Sequence, residues 1–180
     1  FDCCLRGYQI LGASVVMLCA GRYIRDQQIR LTKSAGVTII EHMPSLLLGY
    51  FKRAKEMGID VRETKLRLVS GIGESWAESY KKKIETQYGI PFMTFYGSVE
   101  ASGIAAECEQ RKGMHLFSDL VIAEIIDPET LQPLPLGEEG EMIITLLWYE
   151  TMPLIRYRLG DIASLLPYEP CPCGSTHTKM

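Results

Sequence analysis

Two hydrophobic periodicities alternate along the first half of the chain. Short apolar, β-branched runs stand at residues 13–18 (ASVVML), 37–40, 66–69 and 91–95, each the length of a buried strand and bounded by turn-forming residues. Between them, residues 26–35, 45–57 and 75–88 carry helical patterns. In the last of these, Trp76, Tyr80, Ile84 and Tyr88 recur every fourth residue along one helix face. Ser75-Trp76-Ala77-Glu78 reads as a capping box opening that helix. Gly36, Gly58 and Gly89 follow the three helices, where a left-handed cap is wanted. Strand-helix-strand alternation implies right-handed crossovers and a parallel sheet covered by helices, with ligands at the carboxyl ends of its strands. The loops expected there are Ser70-Gly71-Ile72-Gly73-Glu74 and Tyr96-Gly97-Ser98-Val99-Glu100.

Beyond about residue 118 the rhythm changes. Strand-like runs at 121–126, 141–147 and 155–166 are separated by turn-rich segments with no helical stretch between them. The expected class is α/β: a parallel sheet with flanking helices over about 10–115, then a smaller antiparallel β module over about 118–168. The corresponding subdomains are 1–117 and 118–180, the second ending in a Cys-x-Cys loop.

Composition narrows the function classes. With 47% apolar and 23% charged residues, the chain is an ordinary globular one that buries roughly 70% of its unfolded surface. A formal charge of -3, with Lys81, Lys82 and Lys83 as the one basic run, argues against a nucleic-acid partner. The longest uncharged apolar stretch, 10–21, is far below the roughly 18 residues that cross a bilayer. Six scattered cysteines do not form a secreted disulfide framework, so a reducing cytoplasm is expected. Phe1 stands where a natural start would have Met, and the chain is expected to be a piece of a longer protein. Apolar surface bared by such a cut could pair with a second copy as a homo-oligomer.

Three segments offer chemistry. Gly71-x-Gly73 before a helix could open backbone amides toward a nucleotide, or simply make a tight strand-to-helix turn. Glu74 would repel phosphate but suits a base or hydroxyl. Tyr96, Gly97 and Glu100 combine a stacking ring, close backbone approach and an oxygen ligand for magnesium, or else a buried tyrosine and a solvated glutamate. Asp161, beside Gly160 and after Arg156-Tyr157-Arg158-Leu159, could accept both ribose hydroxyls, as acids do in dinucleotide folds, or form a surface ion pair.

Taken together, the order and spacing of these segments resemble the adenylate-forming superfamily, and within it the phenylacetate-coenzyme A ligase family. The similarity runs through Arg25-Asp26-Gln27-Gln28-Ile29-Arg30-Leu31, Met43-Pro44-Ser45, Gly73-Glu74-Ser75-Trp76, Tyr96-Gly97, Ala106-Glu107-Cys108-Glu109, Gly113-Met114-His115 and Met152-Pro153-Leu154-Ile155-Arg156-Tyr157-Arg158. The resemblance implies activation of an aryl or acyl carboxylic acid by ATP to an acyl-adenylate, then capture by coenzyme A. It implies Gly73, Glu74 and Ser75 on the adenine side, Tyr96 and Gly97 flanking the nucleotide, Glu100 on magnesium and Asp161 on the ribose. Pro44, Ser45, Ile72 and Phe95 would wall the acid pocket. Val99 and Leu159 depart from the family, which usually has Thr or Ser and Thr there. The family's upstream phosphate loop and downstream lid lysine have no counterpart in the sequence, so a middle portion of the large domain, inactive alone, is expected. The competing class is a non-catalytic, zinc-stabilised nucleotide-binding or interaction module.

The cysteines supply a fourth constellation. Cys171-Pro172-Cys173 brings two thiols into one turn, and Cys108 with His115 could add the sulfur and nitrogen that tetrahedral zinc prefers. His177 is the alternative to His115. His42, in an apolar strand, is expected to be packed or hydrogen-bonded, and Cys3, Cys4 and Cys19 to lie in the core.

Overall fold

The computed structural model describes residues 2–18 and 22–180. The chain divides into two compact units, Phe1–Phe92 and Met93–Met180; the change of rhythm at 117/118 falls inside the second. In the first unit the elements are α1 (Asp2–Ile10), α2 (Arg22–Ser34), β1 (Ile39–His42), α3 (Pro44–Glu56), a 3-10 turn at Val61–Glu63, β2 (Leu68–Gly71) and α4 (Glu78–Tyr88). β1 and β2 pair in parallel, from Ile39 opposite Leu68 to His42 opposite Gly71. The pattern thus yields a parallel pair joined by a helix. Among the described residues no helix is long and apolar enough to cross a membrane.

α3 forms because Leu47, Tyr50, Phe51 and Ala54 make one buried stripe at helical spacing. Phe51 stacks on Tyr88 of α4 with centroids 4.4 Å apart, and the Thr32 and Tyr50 hydroxyls satisfy one another at 2.6 Å inside the core. Arg53 grips Asp26 of α2 through two bonds of 2.8 and 2.7 Å. α4 stops at Gly89, whose φ of 67° permits its amide to donate to the Glu85 carbonyl at 2.8 Å.

Two local expectations fail in this unit. Residues 13–18 form no strand, and five of the six are exposed; an apolar run without a pairing partner gains nothing from extension. The capping box is not used either: α4 begins at Glu78 with Ala77 as a cap lacking a side-chain bond. Trp76 is instead drawn over Gly71 and against Phe92, ring centroids 5.4 Å apart, which keeps residues 72–77 out of the helix. The expectation for Cys3, Cys4 and Cys19 falls on side chains outside the described set.

The second unit continues β3 (Phe92–Ser98) into β4 (Ser102–Glu107) and β5 (Met114–Leu116). Both pairings are antiparallel, so this stretch departs in detail from the strand-helix alternation. A three-stranded antiparallel sheet follows, β6 (Val121–Ile126), β7 (Gly140–Leu146) and β8 (Tyr157–Ala163), with β7 central. β7 is buried along nearly its whole length, whereas the edge strand β8 is mostly exposed. Ile104, Ala105, Leu116, Val121, Met142 and Ile144 anchor the core. Glu141, the charged residue inside β7, is held by Arg158 of β8.

Candidate functional site

In the first unit the parallel register sets the exits of β1 and β2 side by side. Met43-Pro44-Ser45 leaves β1 and Ile72-Gly73-Glu74 leaves β2. Pro44, buried, opens α3 at a position where its missing amide costs nothing. Met43 gives no side-chain cap, and the need is met from the neighbouring loop. The Ser45 amide donates to Glu74 Oε2 at 2.9 Å and the Ser45 hydroxyl to Oε1 at 2.8 Å. A carboxylate on the positive end of α3 is electrostatically favourable. The α3 terminus is therefore already occupied by an acid, and Glu74 locks the two exit loops together. Replacing Glu74 by Ala is expected to cost about 0.5–2 kcal/mol, the usual price of a lost cap, read as a lowered urea midpoint; Glu74→Gln, which keeps one acceptor, should lose less.

The paired glycines serve different ends. A Cβ on Gly71 would lie 2.5 Å from Phe92 Cζ and 2.9 Å from Trp76, so Gly71 makes room for aromatic packing. Gly73 has a φ of 83°, with Met43 Cγ 3.9 Å from the Cβ position as its nearest neighbour, and supplies the left-handed turn. Ser75 is exposed and Ile72 half-buried, its amide donating to the His42 carbonyl at 3.3 Å. The Pro44 carbonyl accepts the Tyr80 hydroxyl. Burial, and then the positive charge of Arg25, hold the half-buried His42 ring below its ordinary pKa, which keeps it neutral at pH 7.

In the second unit Tyr96, Gly97 and Ser98 lie within β3, not in the loop that the sequence suggested. The register shifts between Tyr96 and Gly97, and a Cβ on Gly97 would sit 2.1 Å from the Ser102 carbonyl oxygen. The hairpin closes only around a glycine. Gly97→Ala should cost about 1–3 kcal/mol through forced backbone movement, measurable as a drop in melting temperature. The turn that follows carries Val99, 99% exposed, and Glu100, half-buried. Phe95 packs toward Phe117, centroids 6.0 Å apart.

Tyr96 reaches β8. Its hydroxyl donates to Asp161 Oδ2 at 2.6 Å, a pairing 65 positions apart that no local signal announces. Burial, with the Asp161 charge, pushes the phenol well above its ordinary pKa. Tyr96 thus stays a donor at neutral pH, and Asp161 is exposed.

The thiols also converge in this unit. One ligand atom from each of Cys108, His115, Cys171 and Cys173 lies within 4.8 Å of all the others. Cys108 and Cys171 have their sulfurs 3.8 Å apart, and Cys173 Sγ is 3.4 Å from His115 Nε2. The three cysteines are free thiols. The Cys173 amide directed at Cys171, against a smaller opposing effect of burial, draws the Cys171 thiol down to about 6. Cys173 keeps its proton longer: although the Ser175 amide favours its thiolate, the neighbouring Cys171 and burial outweigh it. His177 stands outside the cluster. Its Nδ1 accepts the Ser118 amide at 3.3 Å and its carbonyl faces His115 Nδ1 at 3.4 Å.

The chain is 33% identical over 177 residues to a phenylacetate-coenzyme A ligase of Thermus thermophilus, covering 97% of this chain and 39% of that protein. It is 37% identical over 164 residues to one from Aromatoleum evansii, covering 89% of this chain and 37% of the relative. The crystal structure of 2-hydroxyisobutyryl-CoA ligase in complex with 2-HIB-AMP and CoA superposes with a TM-score of 0.89 at 25% identity, covering 97% of this chain and 38% of that one. Residues 2–146 match the AMP-binding enzyme family, and with the α/β fold common to these ligases the chain belongs to that family.

Proposed function

We propose that the chain is part of an AMP-forming acid-coenzyme A ligase of the phenylacetate-coenzyme A ligase kind. The whole protein joins an aryl or acyl carboxylic acid to coenzyme A through an acyl-adenylate, with ATP cleaved to AMP and pyrophosphate. The observation that carries this is the 33% identity to such a ligase along 97% of the chain, supported by the Tyr96–Asp161 pair. Asp161, steadied by the neutral Tyr96, accepts the ribose hydroxyls. Gly73, Glu74 and Ser75 line the adenine side, with Glu74 holding the loop in place through Ser45. Gly97 brings the backbone of β3 close to the nucleotide. Pro44, Ser45 and Ile72, in the first unit, wall the acid side. Glu100 would hold magnesium; a half-buried carboxylate in a turn fits an ion that takes one or two carboxylates beside substrate phosphates. Magnesium, when bound, neutralises charge on the departing pyrophosphate. Free thiols suit a cytoplasmic setting.

The chain spans 39% of the length of its Thermus relative, and alone it is expected to give no acid-dependent pyrophosphate exchange. The full-length protein, offered ATP, coenzyme A and a panel of aryl and short acyl acids, should release AMP and pyrophosphate and form a thioester with at least one acid. Binding of AMP without turnover of any acid would overturn the ligase assignment and favour a non-catalytic nucleotide-binding module, for which Val99 in place of a hydroxyl is the specific sign.

A further inference from the structure

We infer that Cys108, His115, Cys171 and Cys173 bind one structural zinc ion that fastens the C-terminal segment to the β4–β5 hairpin. The inference is independent of the proposed chemistry, because none of the four residues has a role in the proposed nucleotide or acid site. Donor type selects the metal: three sulfurs and one imidazole suit zinc, whereas magnesium and calcium require oxygen. Tetrahedral zinc, with bonds of about 2.3 Å to sulfur and about 2.0–2.1 Å to nitrogen, separates two sulfurs by about 3.8 Å and a sulfur from a nitrogen by about 3.5 Å. The observed separations are 3.8 Å for Cys108–Cys171 and 3.4 Å for Cys173–His115. A disulfide would need its sulfurs about 2.05 Å apart.

The histidine is prepared for the task. Its Nδ1 faces the His177 carbonyl at 3.4 Å, which places the proton on Nδ1 and leaves the Nε2 lone pair toward the sulfurs. A ligating imidazole ordinarily has such an acceptor behind it, so His177 acts as the orienting group through its backbone and not as a ligand. On binding, each thiol that is still protonated gives its proton to the buffer, and His115 binds as the neutral ring. Four protein ligands close the shell and leave no position for water, which makes the ion structural.

What the ion would hold is visible in the chain path. Residues 164–176 contain no helix or strand, and 178–180 lie along β5 through Leu116–Thr178 and reciprocal Met114–Met180 backbone bonds. Cys171 and Cys173 sit at the middle of this irregular segment. Cys108 follows β4 and His115 is in β5, so the ion ties the segment to the hairpin at a second point.

Protein purified without added metal or a polyhistidine tag should contain about one zinc per chain by elemental analysis. Cobalt(II) exchanged into it should give sulfur-to-metal charge transfer and the strong visible bands of a tetrahedral site. Cys173→Ser and His115→Ala should lose the metal, whereas His177→Ala should keep it. Chelator treatment should lower the melting temperature and open residues 164–176 to proteolysis. Absence of zinc with a melt unchanged by chelator, or zinc lost in His177→Ala and kept in His115→Ala, would overturn the assignment. If either ligand variant does not fold, cobalt titration of the unaltered chain decides alone: octahedral, weakly absorbing spectra reject the site.

Discussion

Asp161→Ala is expected to weaken AMP binding by about 10- to 100-fold, the loss of about 1.5–3 kcal/mol that accompanies removal of hydrogen bonds to a charged group. Asp161 is exposed on the edge strand β8, with one oxygen engaged by the Tyr96 hydroxyl at 2.6 Å. Because burial, and then Asp161 itself, raise Tyr96 far above its ordinary pKa, the phenol remains a donor at neutral pH. Tyr96→Phe therefore removes a positioning contact and leaves the acid in place, and its effect on AMP affinity should be smaller than that of Asp161→Ala. Titration calorimetry of both variants with AMP separates the two roles. Equal affinities for Asp161→Ala and the unaltered chain would remove Asp161 from the ribose site, while the antiparallel sheet that carries it should persist in either case.

How much of this arrangement could be read from the residues differs between elements. β6 is found at Val121–Ile126, as the alternation implies, since a run rich in β-branched residues between turn segments has few other solutions. α3 likewise begins within one residue of its expected start, at Pro44. β4 and β5 escaped notice because SGIAAE and MHL carry little strand signal; small residues serve there because Phe95 and Phe117 press on Gly103, a tertiary requirement. The apolar run at 13–18 misled for the opposite reason, local character without a partner. Ser45, Glu74, Tyr96 and Asp161 could each be singled out from a motif, but the hydrogen bonds that join them could not. Ser45 and Glu74 are 29 positions apart and Tyr96 and Asp161 are 65 apart, so the trans cap on α3 and the phenol–carboxylate pair are products of the fold. Gly97 illustrates the limit best: a glycine expected at a ligand is required first by the Ser102 carbonyl.

In the full-length protein, Glu100→Gln should lower the rate of acyl-adenylate formation by at least about 10- to 100-fold, the effect typical of disturbing a metal's protein environment, with the melting temperature nearly unchanged. The separation of activity from stability follows from position. Glu100 stands in the turn that joins β3 to β4, half-buried beside the fully exposed Val99, and glutamine preserves its size while removing the charge that magnesium needs. A turn substitution of this kind shifts stability by no more than about 0.5 kcal/mol. The deficit should shrink as magnesium is raised, because a weakened site is refilled by mass action, whereas a defect in folding or acid binding would not respond to the ion. Val99→Thr, at a position where nothing in the fold depends on the side chain, provides the companion measurement: restoring a hydroxyl beside Glu100 should raise pyrophosphate exchange without altering the melt. Unchanged turnover in Glu100→Gln at limiting magnesium would take Glu100 out of the metal site, and the search for the cation ligand would then move to the carboxylates of the segments that this chain does not contain.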